Sequence, residues 1–262
     1  MADDADQLLR AGDLDGARRA LVEVVRAKPA DEQARMFLFQ LLCIAGEWDK
    51  ARTQLTTLAQ LSPEAQMLSV AYGQAIEAER ERARVFAGAA RLTQLAPSGW
   101  ADGLADAVEH WANGRTAEGD AARDAAFEAA PDTPGTLDGV AFEWIADADT
   151  RFGPALEAIV RGRYGLVPFD QVASVTSEGP KDLRDTVWCP VQLAFRSGQS
   201  VAALLPARYP GSETAADPAE RLGRATGWRD TDWGQAGSGQ HLWALSTGDE
   251  RDLLSVRQLR FD

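Results

Sequence analysis

Residues that do chemistry are scarce in this chain, which has two histidines and two cysteines among 262 residues. His110 lies beside Trp111 in a helical stretch, with no cysteine or second histidine at ligand spacing, so the pattern of a metal site is missing. His241 opens a β-like run and reads as a surface or edge residue. Cys43 and Cys189 stand far apart without CxxC or CxxH spacing. That argues against zinc and a disulfide framework, and for a reducing compartment. There is no nucleophile elbow, P-loop or GxGxxG. Gly234-Gln235-Ala236-Gly237-Ser238-Gly239 looks like a phosphate loop, but no helix with Lys-Ser/Thr follows it. Asp147, Asp149 and Glu157 offer a carboxylate pair for general acid–base work. They are interleaved with Arg151, Arg161 and Arg163, and structural ion pairs are the preferred reading. Asp182-Leu183-Arg184-Asp185 likewise reads as a charged turn capping a short helix. These patterns call for no catalytic residue, metal or cofactor.

Whatever positions these groups is an ordinary globular chain, with 45% apolar and 26% charged residues. The net charge is −13, from 27 Lys and Arg against 40 Asp and Glu. Such a surface is unsuited to nucleic acid or an anionic membrane, both of which need clustered bases. It reads as solubility, spread over both halves of the chain. The acidic start lacks the charge of a secretory leader, and no run of 18 apolar residues exists. The expected location is the cytoplasm.

The dominant feature is a period. Pro29, Pro63, Pro97 and Pro131 are each 34 residues apart, and Gly12, Gly46 and Gly114 each precede a proline by 17. A 34-residue period is that of a tetratricopeptide unit, two helices per repeat. The glycine ends the first helix, and the proline ends the second. Ala17, Ala51 and Gly119 are small enough for the two helices to pack closely. Apolar positions match at 14/48, 17/51, 21/55 and 24/58, one face of a helix. The third unit has Arg80 in place of its glycine. The expected fold class is α+β, with an α-solenoid of about three and a half helical pairs over residues 1–135. A mostly antiparallel β-rich domain is expected over 136–262.

In that second part, strands are expected at Leu156–Val160, Tyr164–Pro168, Val172–Thr176, Val191–Phe195, Val201–Pro206, His241–Ser246 and Leu253–Phe261. Hairpin turns are expected at Arg161-Gly162 and Ser197-Gly198. Helices are expected near 136–147 and 217–226, and a loop over Asp230–Gly239. Trp144, Trp188, Trp228, Trp233 and Trp243 read as filling a small β core.

Several phrases carry a resemblance. They are Asp147-Ala148-Asp149-Thr150-Arg151-Phe152-Gly153-Pro154, Gly162-Arg163-Tyr164, Val167-Pro168-Phe169, Pro180 through Pro190 with Asp182, Asp185 and Trp188, and Arg208-Tyr209-Pro210-Gly211-Ser212-Glu213. The chain resembles the ImpE/TagJ family of type VI secretion accessory proteins over nearly its whole length. The resemblance implies a cytoplasmic, non-enzymatic adaptor without cofactor. Its partner would be a helical segment of the small subunit of the contractile sheath, with an indirect link to the ATPase that recycles the sheath.

A solenoid offers a groove for such a helix, lined by the first helix of each pair. The expected partner-binding stripe is Gln33, Met36, Gln40 and Cys43 in unit two, and Met67, Val70 and Gln74 in unit three. Methionine suits a varied apolar partner. Leu38, Leu42, Leu68 and Tyr72 are assigned to the inter-helix core. Arg184, Trp188, Arg208 and Tyr209 are expected to hold the β domain together. Two other readings stand beside the adaptor: a chaperone or scaffold for a secreted effector, and a small-ligand or enzyme module in the second domain. A deep polar pocket near Trp188, Tyr209 and Trp233 would mark the last.

Overall fold

The computed structural model describes residues 2–262. Among them the helices are α1 (Ala2–Arg10), α2 (Leu14–Ala27), α3 (Glu32–Ile44), α4 (Trp48–Leu61), α5 (Pro63–Phe86), α6 (Asp102–Ala112), α7 (Thr116–Ala129) and a short α8 (Pro218–Arg221). The strands are β1 (Gly135–Leu137), β2 (Val140–Phe142), β3 (Ile145–Asp147), β4 (Ala155–Val160), β5 (Arg163–Pro168), β6 (Val172–Thr176), β7 (Trp188–Phe195) and β8 (Ser200–Pro206). They continue as β9 (Thr226–Thr231), β10 (Gly234–Gly239), β11 (Leu242–Leu245), β12 (Glu250–Asp252) and β13 (Gln258–Phe261). The α+β class and the tetratricopeptide-like first half stand as expected.

The repeat works as its spacing requires. Asp13 and Asp31 cap α2 and α3 by accepting from the backbone N–H of Gly16 and Ala34, at 2.7 and 3.0 Å. Ala17 and Ala51 are fully buried between helices, with Leu21, Leu55, Val24 and Leu58 beside them. Gly46 has φ 68°, and a Cβ there would come within 2.8 Å of the Glu213 side chain. It is therefore fixed both by its left-handed conformation and by the second half of the chain pressing on the turn.

The third unit departs from the expected three and a half pairs. Arg80 continues the helix where its neighbours have glycine, so α5 runs unbroken over 24 residues. Residues 87–98 then form an extended connection. Gln94 bridges Leu166 in parallel, and Leu95 and Leu166 exchange backbone bonds with Leu166 and Thr93, at 2.7 and 2.8 Å. Pro97 thus ends this connection rather than a helix.

In the second half an eight-stranded antiparallel sheet runs β2-β1-β13-β6-β7-β8-β4-β5, with a three-stranded sheet β12-β11-β3 and a hairpin β9-β10 beside it. The strands expected at 156–160, 164–168, 172–176, 191–195, 201–206 and 241–246 all appear, within a few residues at their ends. Four expectations differ from the structure. The helix near 136–147 is instead β1, β2 and β3. Leu137, Val140, Ala141, Trp144 and Ile145 have helical spacing, but Asp138-Gly139 takes φ 48° and 84° and turns the chain into a hairpin. The helix near 217–226 stops at Arg221, followed by Gly223 at φ 64°. The loop over 230–239 is the β9–β10 hairpin. Its glycines serve close packing: a Cβ on Gly237 would lie 2.4 Å from the Tyr209 ring. Residues 253–255, expected to be strand, form a 3-10 turn before β13.

Two apolar cores result. One lies inside the sheet, around Leu137, Val167, Phe169, Leu193, Trp243 and Leu259. The other begins among the helices and continues into Phe152, Tyr164, Trp188 and Tyr209, so the two halves share it.

Candidate partner interface and the seam behind it

The seam between helices and sheet is charged and buried. Arg82 of α5 is 6% exposed and forks onto Glu157 of β4, with Nε to Oε1 at 2.8 Å and Nη2 to Oε2 at 2.6 Å. Its Nη2 also donates to the Arg208 carbonyl at 2.8 Å. Tyr164 donates its hydroxyl to Glu157. His241 Nδ1 lies 2.6 Å from Asp147 Oδ2, and its Nε2 lies 3.0 Å from Glu157 Oε2, close enough for charge attraction but poorly aligned for a hydrogen bond. Tyr209 donates to Asp147 at 2.8 Å. Asp149 pairs with Arg151 and accepts the Gly237 N–H at 2.7 Å.

Burial alone would push Glu157 up, but the Arg82 guanidinium and the His241 and Arg82 contacts hold it at about 2. Burial would push His241 down, and the Asp147 and Glu157 carboxylates raise it to about 9 instead. Burial raises Asp147 and Glu79. The seam thus buries Glu79, Asp147, Asp149 and Glu157 together with Arg82, Arg151, Arg208 and His241. Such a set is stable when complete and costly when broken.

The expectation of ion pairs among Asp147, Asp149 and Glu157 holds, but only Arg151 among the nearby arginines takes part. His241 is 2% exposed, not a surface residue, because it supplies the positive charge that Asp147 and Glu157 share. Arg184, Trp188 and Arg208 join the halves rather than the sheet alone. Arg184 Nε donates to the Tyr72 hydroxyl at 2.9 Å, and its Nη1 lies 3.8 Å from Met36 Sδ. Trp188 donates to Glu79 at 3.0 Å and packs on Trp48 and Tyr72. Arg208 donates to the Ile44 carbonyl at 3.0 Å. Trp188 therefore fills the shared core, while Trp144 and Trp228 are 43% and 40% exposed.

This seam divides the expected partner-binding stripe. Cys43 is fully buried and Gln40 is 8% exposed; burial pushes the Cys43 thiol well up, leaving it unreactive. Met36 is half-buried beneath Arg184, and Gln33 is exposed. On α5 the stripe is open: Met67 is 83% and Val70 64% exposed, with Gln74 also exposed and Leu61 of α4 39% exposed. Leu38 and Leu42 are buried; Leu68 and Tyr72 are half-buried.

Trp188, Tyr209 and Trp233 do not converge on one cavity. The first two are packed in the core, while Trp233 stacks on Trp111 at 4.8 Å beside a cleft of about 480 Å³ lined by Arg151, Glu213 and Arg229. Among the described residues no cluster of three His, Cys, Asp or Glu has metal-holding geometry, and no helix is long and apolar enough to cross a membrane.

A tetratricopeptide-like helical scaffold, clamped on one side by its own β-rich half and open on others, is the class that the fold and surface define. Comparison with known proteins narrows it. A tetratricopeptide repeat model matches residues 8–71, and the ImpE protein model matches residues 139–260. The type VI secretion system accessory component TagJ of Pseudomonas aeruginosa is 42% identical over 261 residues, covering 98% of this chain and 91% of that protein. The crystal structure of protein VPA1032 from Vibrio parahaemolyticus has the same fold, with a TM-score of 0.89 and 22% identity, over 99% of this chain and 97% of that one. The chain belongs to the ImpE/TagJ family.

Proposed function

We propose that this protein is a type VI secretion accessory component that acts as a non-enzymatic, cytoplasmic adaptor. It holds a helical segment of the small contractile-sheath subunit and is linked through it to sheath assembly or ATPase-driven recycling. The relative's role as an accessory component supports the system; the open apolar stripe on α5 supports the docking surface. Because the second half covers Gln40 and Cys43, a partner helix engages Met67, Val70 and Gln74, with Leu61 and Gln33 at the margin. Met67 carries this reading, since 83% exposure of a methionine on an ordered helix is surface without a structural task.

Titration of purified small subunit into the full chain tests the reading, and saturable binding is expected. Met67→Glu/Val70→Glu should weaken it at least tenfold while the melting temperature moves little, because exposed substitutions seldom change stability by more than about 0.5 kcal/mol. No binding by the folded protein would overturn the assignment. An unchanged affinity of the double variant would move the site elsewhere.

A further inference from the structure

We infer that a second face of the helical half seats an acidic, amphipathic helix. The seat is the groove of about 550 Å³ between α2 and α4, on the side turned away from the seam-covered stripe of α3. Leu38 and Leu42 of α3 close its floor, and Val22 lines one wall. Its rim is basic: Arg18, Arg19 and Arg26 rise from α2 and Lys50 from α4, against Glu23 alone among the lining acids. Arg19, Val22 and Arg26 are three and seven residues apart, so they share one face and run along the groove. Both walls are 14-residue helices, about 21 Å long, the length of a partner helix of roughly four turns.

Charge names the occupant. Residues 14–61 hold seven Lys and Arg against six Asp and Glu, and the rest of the chain holds 20 against 34. This is therefore a neutral-to-basic island on an acidic molecule. Arg19 has no ion-pair partner among the described residues. Arg26 pairs with Glu23 on its own helix at 2.7 Å, and Arg18 and Lys50 share Glu47. The Arg26–Glu23 pair is exposed on both sides and holds its partner weakly, so Arg26, with Arg19, can turn to a ligand's carboxylates, while Arg18 and Lys50 keep the rim positive beside Glu47. A helix with a leucine stripe would cover Val22 and the floor while its flanking acids met the rim. A basic or neutral helix would gain only the apolar part.

The inference goes beyond the sheath reading, and its test uses no sheath protein. Two labelled 16-residue helical peptides are titrated into the full chain by fluorescence anisotropy. They share one leucine stripe, flanked in one by glutamates and in the other by lysines. The glutamate peptide should bind, more weakly as salt rises, and at least tenfold tighter than the lysine peptide. Arg19→Glu/Arg26→Glu should abolish that preference, and the milder Arg19→Gln/Arg26→Gln should reduce it, with circular dichroism unchanged in both. Met67→Glu/Val70→Glu should leave it intact. Absent glutamate-peptide binding, equal binding of both peptides, or an unaltered preference in the Arg19/Arg26 variants would overturn the inference. So would self-association of the unliganded chain that the Arg19/Arg26 variants abolish, which would make the occupant a second copy.

Discussion

Arg82→Met should destabilise the protein by about 3–5 kcal/mol, read as a lower denaturant midpoint with an unchanged slope. The substitution keeps most of the side chain's volume and removes its charge. Glu157 is then a buried carboxylate without its fork, and the Arg208 carbonyl loses a donor. The penalty comes from the stranded acid, not from the missing attraction. Arg82→Met/Glu157→Gln should therefore recover a substantial part of the loss, because the second change neutralises what the first abandons. A loss below about 1 kcal/mol in the single variant would mean that water screens the pair, contrary to the burial of both groups. Since Arg82 belongs to the helices and Glu157 to the sheet, the same experiment measures what holds the halves together.

His241 should make stability fall on the alkaline side. Its pKa rises from 6.5 to about 9 on folding, so between those values the folded chain keeps a proton that the unfolded chain has released. The contribution is complete below 6.5 and is lost as pH climbs through about 9, a change of roughly 3 kcal/mol. Glu157 acts at the opposite limit: held at about 2 against 4.5, it contributes above about 4.5 and loses that contribution as pH falls toward 2. Asp147, raised by burial, offsets part of the acid limb. Denaturant midpoints measured from pH 5.5 to 9.5 should decline above 6.5 in the natural protein. His241→Gln should be less stable at pH 6 and nearly flat over that range. An equally steep decline in the variant would assign the alkaline limb to another group.

The fold was legible where local rules set it. Four prolines at a 34-residue spacing announced the helical array, and β-branched runs announced most of the sheet. Reading failed where a contact from far along the chain decided the outcome. The Gly-rich run 234–239 resembles a loop until Tyr209 is laid against Gly237. His241 resembles an edge residue until Asp147 and Glu157 close around it from 94 and 84 positions away. Glu157 has Arg161 and Arg163 nearby in sequence, yet its partner is Arg82, 75 residues earlier in another kind of element. The helix expected at 136–147 failed for a local reason that was available, since Asp-Gly is a hairpin turn signal even inside helical spacing.

The stripe on α3 and α5 shows the same limit. Periodicity grouped Gln33, Met36, Gln40 and Cys43 with Met67, Val70 and Gln74 because all share one face of the repeat. It carried no information on which part of that face the second half would cover. The phrases through 182–190 and 208–213 supply that cover, with Arg184 against Met36 and Tyr72 and Arg208 on the Ile44 carbonyl, while Asp147 and Arg151 of 147–154 are buried elsewhere in the seam. The residues that carry the family resemblance thus secure the joint between halves, and the apolar surface left open on α5 lies on the helices.

Hydrogen–deuterium exchange of the full chain, alone and saturated with the small sheath subunit, tests that division most directly. New protection should appear within residues 14–74, centred on the first half of α5, with the amides of β3, β4 and β11 at the seam unchanged. Protection confined to residues 139–260, or opening of the seam on binding, would contradict it.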